Sequence, residues 1–170
     1  MKNLEERVRE IRRVLNKISS LNVGVVVHRN ADPDAIASAS AIAAYLSDLK
    51  NYNYIVLPEG LNRVSKRVIQ AIGVKPRLYN TSELRVLHGI TDIYIVLDTS
   101  NPVQLGEAAR YIANSEYVLI DHHEPGELAT RARYKLIAKT TSTSELVYLI
   151  LKDCWHISRE FATLLLAGIL

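Results

Sequence analysis

Cysteine is nearly missing from this chain. Its 170 residues include a single one, Cys154, so no internal disulfide can form and a disulfide-stapled secreted module is excluded. The thiol reads as a half-buried helix residue, not as a nucleophile. Long hydrophobic runs are missing too: no apolar stretch approaches the roughly 18 residues that would span a bilayer. The opening MKNLEERVREIRR is charged throughout and lacks the apolar centre of a secretory signal. A cytoplasmic location with no membrane partner is therefore expected. Repeats, low-complexity tracts and linkers are also lacking, which points to one domain over residues 1–170. Nor does either charge dominate, with a formal net charge of +3, 23% charged residues and 48% hydrophobic ones. That balance is ordinary for a globular domain and too apolar for a disordered chain. The slight basicity only hints at an anionic partner.

What is present is an alternation of short apolar runs with helical patterns. Leu4, Val8, Ile11, Leu15 and Ile18 recur at steps of three and four, which predicts an amphipathic helix. The run VGVVV within 22–27 is β-branched and short, as expected of a parallel strand covered on both faces. Further strands are predicted at 54–57, 93–97, 117–120 and 134–138. Helices are predicted at 35–49, at 64–72 with Gly73 as its cap, and at 102–114, 144–152 and 158–166. This order predicts an α/β fold, a mostly parallel five-stranded sheet with right-handed crossovers and helices on both faces. In such sheets ligands bind beyond the carboxyl ends of the strands, at a switch in strand order.

Three predicted strands end in candidate metal ligands. VVVH runs into Asp32 and Asp34, IVL into Asp98, and VLI into Asp121, His122 and His123. Taken singly, Asp98 and Asp32 are ordinary turn or cap residues and His28 an ordinary core histidine. Together they place acids and imidazoles at one edge of one sheet, where unpaired carboxylates cost several kcal/mol without a cation. Aspartate oxygens and histidine nitrogens without thiolate suit Mn²⁺, Mg²⁺ or Zn²⁺. His28, Asp32, Asp34, Asp98 and His122 exceed the needs of one ion. Two ions about 3.5–4 Å apart, sharing one carboxylate, use them all.

The stretch HRNADPDA resembles the first motif of the DHH phosphoesterase superfamily, VLDTSN around Asp98 its second, and IDHHEP its third. TTSTSELVYLIL is similar to the stretch that follows in nanoRNase and RecJ-type members. The resemblance implies that His28, Asp32 and Asp98 hold one metal, that Asp34, Asp98 and His122 hold the other, and that Asp98 bridges them. It implies that His123 faces the substrate phosphate, that Asp121 orients the imidazoles from behind, and that the metal is Mn²⁺ or Mg²⁺. The function so implied is hydrolysis of a phosphoester in a nucleotide or short oligonucleotide by a metal-activated water, with Asp98 and His123 as catalytic residues. Two alternatives stand beside it: a metal-poor DHH-like scaffold or nucleic-acid-binding module, and an inorganic pyrophosphatase. Arg29, beside the first motif, is a candidate phosphate contact, whereas Arg63, Lys66 and Arg67 read as a solvated helix face.

Departures from the family pattern are few. Ala31 and Pro33 stand where the motif has Pro and Gly, and Ala37-Ser38 where it has Gly-Ser. Neither change removes a ligand, and Pro33 suits a first helical turn. No aspartate follows Asp153, itself expected to be solvated. The chain is thus expected to lack the last motif and the C-terminal substrate-binding domain, and to hold at most one tight ion, on the His28 side. Phe161, Leu164 and Leu165 are expected to be exposed, which would favour a homodimer or another partner.

Overall fold

The structure, a computed structural model, describes residues 3–170. Six strands form one fully parallel sheet: β1 (Val23–Val26), β2 (Asn53–Val56), β3 (Leu78–Tyr79), β4 (Ile93–Leu97), β5 (Tyr117–Asp121) and β6 (Tyr134–Ile137). Their order is β3-β2-β1-β4-β5-β6. The sheet therefore has six strands, not the expected five. The missed β3 has two half-buried residues at the sheet edge, and so carries no apolar run to announce it.

Along each central strand, alternate side chains feed two separate cores. Val25, Val27, Ile55, Ile95, Leu97 and Ile120 belong to the one with α1 (Leu4–Lys17), α2 (Pro33–Asp48) and α7 (Thr143–Leu151). Val26, Tyr54, Val56, Tyr94, Val96 and Leu119 belong to the other, with Leu84 of α4 (Thr81–Leu87), Ile112 of α5 (Ala109–Ile112) and Leu128 of α6 (Leu128–Arg131). α2 lies inside the protein: Ala35 to Ala43 is buried without interruption, enclosed by the sheet, α7 and α8 (Arg159–Ile169). Its alanines and serines are what allows this close approach, and it lacks the polar stripe of a surface helix.

Local chemistry fixes the element ends. Asn3 and Glu6 form a capping box on α1, as Asn80 and Glu83 do on α4. Gly73 ends α3 (Arg63–Ile72) at φ 84°, in the left-handed conformation expected of it. The helix expected over 102–114 is interrupted: Pro102–Ala108 is 3₁₀ with Gly106 at φ 53° and ψ −136°, and only Ala109–Ile112 is α-helical. The face expected to be exposed at the end of the chain is covered instead. Leu164 and Leu165 are buried and Phe161 is half-buried, because α8 packs along α2. Cys154 is exposed in the turn after α7, and Asp153 pairs with Arg12 at 2.9 Å.

Order reverses at β1: the chain first lays β2 and β3 on one side, then β4 to β6 on the other. The carboxyl ends of β1 and β4 thus flank the switch point of the sheet. Gly24 sits in the middle of β1, where a Cβ would lie 2.7 Å from two ring carbons of Tyr94. That ring is fully buried and held by a 2.8 Å hydrogen bond between its hydroxyl and His88 Nδ1. Gly24→Ala is predicted to lower stability by about 1–3 kcal/mol, read as an earlier urea midpoint. Gly89→Ala, with nothing within 4 Å of its Cβ, serves as the control; equal midpoints for the two variants would contradict the packing account.

Candidate metal centre

His28 and Asp32 leave the carboxyl end of β1, and Asp32 starts α2. Its Oδ1 caps the helix by accepting the Ala35 N–H at 3.0 Å, yet lies 3.6 Å from His28 Nε2. One carboxylate is thus both cap and site group. Two residues on, Asp34 turns inward and receives the first turn of α7, accepting Thr143 N–H at Oδ2 (2.8 Å) and Ser144 N–H at Oδ1 (2.7 Å).

Asp98 follows β4 directly and is 3% exposed. Its backbone sits at φ 62°, a left-handed conformation in a non-glycine residue, which costs on the order of 1 kcal/mol. The strain persists because Asp98 N–H bonds Ile120 of β5 (3.1 Å) while the side chain is gripped by Thr143, whose hydroxyl donates to Oδ1 at 2.9 Å. The two Asp98 oxygens face opposite ways. Oδ2 is 3.5 Å from His28 Nε2, and Oδ1 is 3.6 Å from His122 Nε2 and 3.9 Å from His123 Nδ1.

The loop after β5 supplies the other imidazoles. His122 turns Nδ1 to the Thr140 carbonyl (3.4 Å), which leaves Nε2 aimed at Asp98 and, at 3.8 Å, at Asp34 Oδ2. Asp121, fully buried, holds His123 through Nδ1 (2.8 Å) and its backbone N–H (3.2 Å), while Asp121 Oδ2 has no partner among the described residues. It therefore steadies His123, whereas a main-chain carbonyl faces the ring nitrogen of His122. Ser100 ties this loop to the one after Asp98, its hydroxyl accepting Gly126 N–H at 2.8 Å.

Electrostatics follow from this crowding. Burial opposes charge on His28, but Asp32 and Asp98 facing Nε2 outweigh it and raise its pKa to about 9. Burial also disfavours the charged form of Asp32, yet His28 and the Ala35 N–H hold it below the ordinary carboxylate range. Asp34 is pushed up to about 6, first by burial and then by the like charge of Asp98, against the pull of the α7 amides. Partial burial works against charge on His123, and Asp121 overrides it, lifting the imidazole above its usual value.

Two donor sets share Asp98: His28, Asp32 and Asp98, and Asp98, His122 and His123, each with ligand atoms within 4.8 Å of one another. Around a cation with bonds of about 2.0–2.2 Å, neighbouring ligand atoms stand about 3.0–3.5 Å apart. The spacings of 3.5 and 3.6 Å about His28 fit such a group, as does the excess of buried carboxylate. Of the residues singled out in the sequence, His28, Asp32, Asp34, Asp98, His122, His123 and Asp121 converge here. Arg29 does not: its guanidinium is half exposed, 3.8 Å from Glu59. Beside the centre opens a cavity of about 410 Å³ whose wall includes His28, Asp98, Asn101, Gln104 and His123. Thr143 and Ser144 also belong to the site; no side-chain chemistry in the sequence points to them, but the S-x-x-E pattern of Ser142 to Glu145 marks the helix start that carries them.

The chain resembles known proteins over nearly its whole length. It is 27% identical over 128 residues to the uncharacterized protein MJ0988 of Methanocaldococcus jannaschii, covering 74% of this chain and 37% of that one. The crystal structure of an exopolyphosphatase-related protein from Bacteroides fragilis superposes with a TM-score of 0.78 at 19% identity, over 96% of this chain and 48% of that one. Exonuclease RecJ bound to manganese follows with a TM-score of 0.51 at 14% identity, over 99% of this chain and 42% of that one. At such identities the likeness to solved structures is one of fold, and the chain spans half or less of each relative. The model of the N-terminal domain of the DHH family matches residues 22–169, and with the motif residues gathered at the switch point of the sheet, the chain belongs to the DHH family.

Proposed function

We propose that the centre holds divalent cations, Mn²⁺ or Mg²⁺, and hydrolyses a phosphoester of a nucleotide or short oligonucleotide. The observation that carries this reading is Asp98, a buried carboxylate that turns one oxygen to each of two imidazole-bearing groups. On it, His28, Asp32 and Asp98 form one set of ligands, and Asp34, Asp98 and His122 the other. When bound, the cations supply a hydroxide nucleophile at neutral pH and neutralise charge developing on phosphate oxygens.

The chain's own residues do the remaining work. His123, more than half exposed and held by Asp121 through Nδ1 and its backbone N–H, lines the cavity and is placed to meet a phosphate oxygen there. Its fixed position means no reorganisation accompanies the growth of charge on that oxygen. Asp34 is held on α7 and Asp32 on its own helix start, so the carboxylates keep their places when substrate enters. Substrate selection is shared, on this proposal, with a further domain of the kind that the greater length of the relatives accommodates. A metal-free scaffold role is disfavoured by Asp98, a buried carboxylate on a left-handed backbone that caps no helix and costs desolvation without a cation.

Asp98→Ala is predicted to reduce Mn²⁺-dependent hydrolysis of a short oligonucleotide to background, and Arg29→Ala to reduce it less. Pyrophosphate run in parallel separates the substrate classes: faster turnover of pyrophosphate than of the oligonucleotide would overturn the nucleotide assignment. Near-normal oligonucleotide hydrolysis by Asp98→Ala would overturn the role of that carboxylate.

Proton linkage gives a second test. In the metal-free chain the raised pKa of His28 contributes stability that is complete below about 6.5 and lost as pH rises through about 9. Asp34, also raised, loses its share as pH rises from about 4 through 6. A cation must displace the His28 proton and gains from an ionised Asp34, so added Mn²⁺ should raise the melting temperature more at pH 9 than at pH 6. The pH window expected from free imidazole alone lies lower, near 6.5; the carboxylates facing His28 move it upward. An Mn²⁺-induced shift that is flat or falls over this range would contradict the assignment of His28 as a ligand.

A further inference from the structure

We propose that Thr143 is a positioning residue for this centre: from the first turn of α7 it fixes the rotation of Asp98 and the place of Asp34 together, presenting one Asp98 oxygen to each side. The proposal rests on the divalent-cation reading above.

The terminal torsion of an aspartate is broad and roughly two-fold, so nothing intrinsic to Asp98 directs one oxygen to His28 and the other to His122. Among the described residues, the hydrogen bond donated to its carboxylate is that of the Thr143 hydroxyl, at 2.9 Å on Oδ1. Oδ2 is thereby left towards His28. The backbone N–H of the same threonine donates to Asp34 Oδ2, and that of Ser144 to Asp34 Oδ1. One residue thus binds two like-charged carboxylates through two different groups and sets the distance between them. The positive end of α7 makes their proximity tolerable, although Asp34 is still pushed up to about 6 by burial and by Asp98.

Thr143 is rigid enough for this. It is fully buried, its β-branch restricts χ1, and its helix is anchored in the core by Leu146, Val147, Ile150 and Leu151. Just before it, the Ser142 hydroxyl accepts Glu145 N–H and caps the helix. A hydrogen-bond donor also draws charge from the carboxylate, an effect whose loss would tighten cation binding. Orientation outweighs it, because a rotated Asp98 withdraws an oxygen from one side altogether.

The test is Mn²⁺ titration of the chain by calorimetry, with melting in chelator as the measure of fold. Thr143→Val keeps the shape and removes the donor, and is expected to weaken Mn²⁺ binding about tenfold or more, while metal-free melting stays cooperative and falls only by the one hydrogen bond that Asp98 loses. Thr143→Ser, which keeps the hydroxyl, is expected to bind within about threefold of the unsubstituted chain, on the scale of that same loss. Thr143→Ala against Thr143→Ser repeats the comparison without the β-branch, so a fold-breaking valine does not remove the test. Unchanged or tighter Mn²⁺ binding in the variants lacking the hydroxyl would overturn the role of Thr143. Absence of Mn²⁺ binding by the unsubstituted chain would instead overturn the cation reading itself.

Discussion

Much of this structure depends on one buried negative charge. Asp98 sits at 3% exposure beyond the central strand β4, in a left-handed backbone conformation, with imidazoles on two sides and a threonine hydroxyl on one oxygen. An isolated carboxylate in such a place would take up a proton or unfold its surroundings. Here the sheet topology supplies its company. The order 3-2-1-4-5-6 puts the carboxyl ends of β1, β4 and β5 side by side, and each releases its acids and imidazoles into one crevice.

The rest of the fold holds these loops still. α2 is enclosed and small-sided, so α7 and α8 pack closely against it, and the two carboxylates in its first turn are placed by a helix that cannot shift. α7 returns to the same crevice from far along the chain, and its first turn meets Asp34 and Asp98. The site carries a left-handed backbone at Asp98 and an unpartnered Oδ2 on Asp121; elsewhere among the described residues Lys50 also has a positive φ, and Ser40 Oγ and Asn51 Oδ1 also lack a partner.

How much of this is legible in the sequence depends on the size of the signal. The strands β1, β4 and β5 are apolar runs buried on both faces, and the groups at their ends can be read in order. β3 has no such run. α4 is too short for periodicity, although its Asn80–Glu83 capping box was there to be seen. Gly106 breaks the helix expected over 102–114 through a positive φ that no neighbouring residue announces. The burial of Leu164 and Leu165 follows from α8 seating on α2, a tertiary contact that the pattern of either helix alone does not specify. At the site, side-chain chemistry was readable and main-chain chemistry was not. The partners of Asp34 are backbone amides, and Thr143 matters through where its helix begins.

The central claim is that Asp98 and the groups around it form a cation centre. Anomalous scattering at the manganese absorption edge, from crystals of the chain grown with Mn²⁺, tests it most directly. The account predicts an anomalous peak within bonding distance of an Asp98 carboxylate oxygen, His28 Nε2 and Asp32. A fully refined structure with His28, Asp32 and Asp98 in place and no peak there, or with manganese bound only elsewhere, would contradict it.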